Sequence, residues 1–135
     1  MKVEDMQNEN HVKAEVRKIL AKAEAWSLMH VPVGYGKQGA PDFLICLRGR
    51  MVGLETKFRT NRISAHQARE LTAIHKAGGV ALIVNEGGLL LLERLITELV
   101  RNPQYKLYGP TNLSFDRWGR LVKHEGVDWE VTWGN

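Results

Sequence analysis

Gly39-Ala40-Pro41-Asp42-Phe43-Leu44-Ile45-Cys46-Leu47, then Arg48-Gly49-Arg50, then Met51-Val52-Gly53-Leu54-Glu55-Thr56-Lys57 is the stretch whose reading decides the fold. Two short apolar runs flank a glycine-containing turn, the pattern of a β-hairpin. A two-residue loop of Gly49 and Arg50 suits a type II′ turn, because glycine takes the positive φ needed at its first central position. In that register Arg48 faces Met51, Leu44 faces Glu55 and Asp42 faces Lys57. Side chains alternate with a period of two, so Asp42, Glu55 and Lys57 share one sheet face. Thr56 points the other way, with its backbone carbonyl near the same edge. A slip of one residue would carry Asp42 to the opposite face. Cys46, inside an apolar strand, reads as a small core residue.

Working outward, the residues before the hairpin read as a helix. Glu9, Val12, Val16, Ile19, Leu20 and Ala23 recur at spacings of three and four, from a cap at Asn8 or Asn10 to an end near Glu24. Trp26 to Val33 reads as a strand and Gly34 to Pro41 as a loop. After the hairpin, Ser64 caps a second helix that runs to Ala77, with Gln67 completing a capping box. Gly78-Gly79 stops it before a buried strand, Val80 to Val84. Asn85 to Gly88 reads as a turn, Leu89 to Leu92 as a further strand, and Glu93 to Arg101 as a short helix. Helix, strand, strand, strand, helix, strand is the order of an α/β fold around a mixed sheet.

Residues 103–135 differ, holding Trp118, Trp129 and Trp133 of the four tryptophans. Asp116 to Arg120 reads as a turn. Val127, Trp129, Val131 and Trp133 alternate with polar residues as a strand with one apolar face. The reading is therefore one domain over 1–102 and an extension over 103–135. The extension would pack on the core, lie at a dimer contact, or stack its aromatics on unpaired bases.

Composition narrows the class. At 135 residues there is room for about one domain, and 44% hydrophobic residues argue against whole-chain disorder. The single cysteine excludes an internal disulfide and a cysteine-rich zinc site, and fits a reducing cytoplasm. No apolar run approaches the roughly 20 residues of a membrane span, and the acidic, polar start is unlike a signal peptide. A net charge of +4 with a pI near 9.4 favours an anionic partner such as nucleic acid.

Two carboxylates at one strand end repel each other unless a cation lies between them. Hard oxygen ligands of this kind suit Mg²⁺ or Mn²⁺, which activates a bound water and neutralises charge on a phosphate. An ammonium beside them completes the minimum equipment for phosphodiester hydrolysis. The competing reading is that Glu55 and Lys57 form a solvated ion pair and that Pro41-Asp42 merely opens a strand.

Gly39-Ala40-Pro41-Asp42, the apolar strand after it, and Leu54-Glu55-Thr56-Lys57 resemble the signature of the PD-(D/E)XK nuclease superfamily. Ser64-Ala65-His66-Gln67, opening a helix that ends before an apolar strand, makes the stretch similar to the VRR-NUC branch, stand-alone nucleases of phage and bacterial type. The resemblance covers residues 9–92. It implies an αβββαβ core, with Asp42, Glu55 and the Thr56 carbonyl as metal ligands for Mg²⁺ or Mn²⁺, Lys57 as the catalytic lysine, and Gln67 near the scissile phosphate. It also implies a metal-directed glutamate on the first helix. Glu9 lies in the middle of the apolar stripe and Glu15 well to one side, so Glu9 is preferred, with Glu15 a partner for Lys18 or Lys22.

Basic residues flank this stretch. Arg59 and Arg62 follow Lys57 directly and Arg69 lies on the second helix, all placed to meet phosphates. Tyr35 and Lys37 lie in the loop leading to Asp42 and are read as DNA contacts too. Arg48 and Arg50 solvate the far turn, and His66 and His75 are helix-surface residues. The resemblance implies an endodeoxyribonuclease selective for branched DNA such as four-way junctions and acting as a homodimer; the expected location is the cytoplasm. The alternatives are a non-catalytic nucleic-acid-binding module on the same fold, and a structural protein whose charged trio forms surface ion pairs.

Overall fold

The computed structural model describes residues 1–30 and 38–125. Asn8 caps α1 (Glu9–Lys22), its side chain accepting from the His11 N–H at 3.0 Å. The buried residues of α1 are Val12, Val16 and Leu20, one residue per turn on a single stripe. Strand β1 (Trp26–Met29) follows, then β2 (Phe43–Leu47) and β3 (Arg50–Thr56). Helix α2 (Ala65–Lys76) opens on Ser64, and Ser64 and Gln67 satisfy each other's backbone N–H groups in a complete capping box. Strand β4 (Val80–Val84), helix α3 (Leu89–Arg101) and strand β5 (Thr111–Leu113) complete the set.

The strands form one sheet in the order β1-β2-β3-β4-β5, antiparallel through β3 and parallel from β3 to β5. The molecule is thus α/β with a mixed five-stranded sheet and three α-helices among the described residues. Helices α1 and α3 cover one face, burying Phe43, Ile45, Leu47, Val52, Leu54, Leu82 and Val84. Helix α2 covers the other over β3 and β4, where Ala68 and Leu71 meet Ala81 and Ile83. Gly53 lets α2 approach, since a Cβ there would lie 2.6 Å from Ile74 Cδ1. Among the described residues no helix is long and apolar enough to cross a membrane.

Several expectations change. The hairpin turns on Arg48 and Gly49, with φ of 50° and 80°, and Leu47 pairs with Arg50. Two positive φ values define the type I′ geometry, whose twist matches the strands. The register therefore sets Asp42 against Glu55 rather than against Lys57. Because both strands move by one residue, the parity of the pairing is kept and so are the faces. Arg50 is structural, its guanidinium donating to the Tyr105 carbonyl. Leu89 to Leu92 form the first turn of α3 and no strand, because Leu89, Leu92, Leu95, Ile96 and Leu99 make one buried helical face. Cys46 is exposed, lying between Trp26 and Met51 on sheet surface beyond the reach of α2.

The first strand is described only as Trp26–Met29, and residues 31–33 of its expected range lie outside the described residues. The strand expected over Val127 to Trp133 lies outside them too. The described part of the C-terminal stretch supplies β5, which pairs with β4 and extends the central sheet. Its short length and polar Asn112 hid it from alternation.

Candidate active site

Asp42 is the residue before β2, and Glu55 is the penultimate residue of β3. The ladder ends at the Phe43–Leu54 pair, so the next step outward brings the Asp42 and Glu55 carboxyls together. Gly39 fixes the approach to Asp42: its φ is 83°, and a Cβ there would lie 2.5 Å from the His66 backbone. The loop is thereby pressed against the first turn of α2, in a conformation that favours glycine.

Asp42 is held from three sides. Its Oδ2 accepts from the Thr56 N–H at 2.8 Å and from the Thr56 hydroxyl at 2.6 Å. The side chain of Thr56, expected to turn away from the charged trio, therefore reaches it through its hydroxyl. Asp42 Oδ1 lies 3.6 Å from Lys13 Nζ, and the same ammonium lies 3.5 Å from Glu9 Oε2. Burial alone would raise the pKa of Asp42. Hydrogen bonds from Glu55 and from Thr56, with the Lys13 charge, outweigh it and hold Asp42 below the usual carboxylate range.

Glu55 is 1% exposed, and its Oε2 has no hydrogen-bond partner. Burial pushes its carboxyl up to about 10, helped by the shared proton and negative charge of Asp42 and by Glu9, against the pull of Lys57. Without a cation, the two carboxyls share one proton at neutral pH, with Glu55 as the acid and Asp42 as the anion. Paired carboxylates behave so because both cannot ionise side by side.

Lys57 is half-buried just past β3, where its N–H donates to the Val84 carbonyl at 2.9 Å, and its charge reaches both Glu55 and His124. Gln67 uses its side-chain oxygen on the Ser64 N–H at 2.8 Å, which leaves its amide NH₂ to serve as a donor. Arg59 is exposed and stacks on the Phe58 ring, while its N–H is held by the Glu86 carboxylate at 2.9 Å. Arg62 is exposed, and Arg69 contacts His66 at 3.3 Å on the surface of α2. Tyr35 and Lys37 lie outside the described residues. Glu15 pairs with Lys18 and with the N-terminal amine, away from Asp42, and Lys22 pairs with Glu93.

Sequence reasoning missed two residues here. Lys13 carried a legible signal, because it follows Glu9 by four residues on the same helix face. His124 carried none, as it comes from a connection 61 residues beyond the segment it touches. Its Nδ1 accepts from the Ile63 N–H at 3.1 Å and its Nε2 is buried without a partner. Burial, then the positive charges of Lys57 and Arg62, hold this imidazole down to about 4, so it is neutral at pH 7.

The donors suit a hard divalent cation. Among the described residues no three His, Cys, Asp or Glu side chains converge, and Glu9 is paired with Lys13. Mg²⁺ is commonly bound by one or two carboxylates together with waters and substrate phosphate, so Asp42, Glu55 and a neighbouring carbonyl form a sufficient set. The unpartnered Oε2 of Glu55 is the atom such an ion would satisfy. Compared with family models, curated proteins and solved structures, the chain matches none.

Proposed function

We propose that the chain is a metal-dependent endodeoxyribonuclease of the PD-(D/E)XK superfamily, similar to its VRR-NUC branch, that hydrolyses phosphodiester bonds in branched DNA. The observation that carries this reading is the facing pair of carboxyls, half-buried Asp42 and buried Glu55, with an unsatisfied oxygen on Glu55 and with Lys57 two residues on, just past β3. The order α1, β1, β2, β3, α2, β4, with β3 and β4 parallel, supports it as well.

Asp42, Glu55 and the Thr56 carbonyl would hold Mg²⁺ or Mn²⁺, and Glu9 would join them once Lys13 released it. When bound, the ion supplies charge that acidifies a water and neutralises the phosphate. Lys57 Nζ orients the attacking water and holds the non-bridging phosphate oxygen. The Gln67 amide donates to the same phosphate. Arg59, Arg62 and Arg69 take flanking phosphates and position the substrate without reading its bases. A chain of this size has little surface for base readout, which favours selection by DNA shape. Two copies would present two such sites to the two strands of a junction.

The test is cleavage of four-way, flapped and linear DNA with Mg²⁺, with Mn²⁺ and with EDTA, beside Asp42→Ala and Lys57→Ala. Metal-dependent cutting that falls at least roughly a hundredfold in both variants is expected, as for loss of a charge-stabilising group. Cutting that survives in either variant overturns the assignment. Light scattering is expected to give twice the 15.3 kDa chain mass without DNA and two chains per junction in the complex, and a single chain under both conditions removes the dimer.

One observation favours a second reading. Lys13 already pairs with both Glu9 and Asp42, which would suit a non-catalytic nucleic-acid-binding module on the same fold. Salt-dependent DNA binding without cutting under either metal would establish that reading.

A further inference from the structure

A second feature lies outside the carboxyl pair and plays no part in it. Trp118 is 66% exposed at the tip of a turn between the bridged residues Phe115 and Leu121. The turn is rigid for reasons independent of the indole. Asp116 Oδ1 accepts from the N–H groups of Trp118 and Arg120, each at 2.9 Å, and Asp116 Oδ2 accepts from Arg120 Nε at 3.1 Å. The Asp116 N–H donates to the Arg120 carbonyl at 2.8 Å.

The ring carries guanidiniums from both sides of the turn in sequence. Arg117 Cζ lies 4.4 Å from its centroid and Arg120 Cζ 4.9 Å. Arg120 is anchored there by Asp116, whereas Arg117 makes no ion pair among the described residues. Below the turn lies a cleft of about 1050 Å³. Phe58, with Arg59 stacked on it, lines the same cleft, and this pair directly follows Lys57 in sequence. Glu86, also in the cleft, is occupied by the Arg59 N–H, and Glu4 stands on the N-terminal side.

We infer that this cleft binds unpaired nucleotides, with a base stacked on Trp118 and adjoining phosphates on Arg117 and Arg59. Aromatic faces bind bases of any sequence, and basic side chains follow the strand between them. A base on Trp118 replaces the stacked Arg117, whose guanidinium then turns to phosphate, while Asp116 keeps Arg120 in place. The inference rests on the nuclease reading and deepens it: the preferred substrate carries a single-stranded arm next to the bond that is cut.

The experiment separates the two. Binding of a fluorescent oligothymidylate and of a blunt duplex is measured by anisotropy in EDTA, so no cutting is needed. Trp118→Ala is expected to weaken oligothymidylate binding roughly tenfold to a hundredfold, while Trp118→Phe keeps most of it and blunt-duplex affinity changes less than about twofold. Arg117→Ala is expected to lower the dependence of log affinity on log salt by about 0.7 for the single strand. Unchanged thermal unfolding of Trp118→Ala shows that the loss is local. Equal binding by wild type and Trp118→Ala, equal losses in Phe and Ala variants, or no oligonucleotide binding by wild type overturns the inference even if the protein cuts DNA. The expected pattern in a protein that never cuts DNA upholds the cleft and removes the nuclease reading alone.

Discussion

Replacing Glu55 by glutamine should make the metal-free protein more stable while abolishing the proposed nuclease activity. A carboxyl with an ordinary value of 4.5 is ionised in the unfolded chain at pH 7, yet Glu55 stays protonated in the fold. Taking up that proton costs about 3 kcal/mol at pH 7. The cost depends on the unfolded value and the pH, so it holds wherever the folded value exceeds 7. Glutamine has nearly the same shape, carries no charge and can donate to Asp42 as the protonated acid does. Allowing for relaxation around the site, a gain of about 1–3 kcal/mol at pH 7 is expected. The sign with pH is also set. A raised carboxyl favours the fold below 4.5, and that contribution is lost as pH climbs toward about 10. Between pH 7 and 9 wild-type stability should fall by about 1.4 kcal/mol per unit, and Glu55→Gln should remove that slope. The assay is urea unfolding at pH 7, 8 and 9 in EDTA, repeated with excess Mg²⁺. The ion should restore about 1–3 kcal/mol to wild type and nothing to the variant. Identical pH slopes, or a variant less stable than wild type at pH 7, would refute the buried, protonated carboxyl.

Lowering the pH tests His124 with the opposite sign. Its neutral ring is favoured in the fold, so stability is lost as pH falls from 6.5 toward about 4, and His124→Asn should flatten that loss in urea unfolding between pH 6.5 and 4.5. Lys13→Ala removes the ammonium between Glu9 and Asp42; calorimetric titration should find Mg²⁺ bound roughly threefold to tenfold more tightly, through stronger negative charge at the site. Gly39→Ala sets a Cβ against the His66 backbone at a positive φ, and should cost about 2 kcal/mol or more in thermal unfolding. Ser64→Ala breaks the capping box of α2, and about 1 kcal/mol of stability should go with it.

Much of this molecule could be read from short-range pattern. The α1 stripe, the capping box of α2 and the apolar strands β2 and β4 each follow from spacing within one element, where backbone geometry dictates which residues share a face. The grouping of Asp42 with Glu55 was legible for the same reason: it depends on parity along two adjacent strands, and parity survived the displaced turn. What the sequence could not disclose is whatever depends on contacts across the fold. The choice of Arg48-Gly49 over Gly49-Arg50 is made by strand twist together with the Arg50 contact to Tyr105, more than fifty residues away. Whether Leu89 to Leu92 becomes strand or helix is decided by the face it buries beside α1. Lys13 meets Asp42, and His124 meets Ile63, only because distant segments are folded against each other. The protonation of Glu55 belongs to the same class, since it arises from the removal of water around a carboxyl whose nearest neighbour carries the same charge.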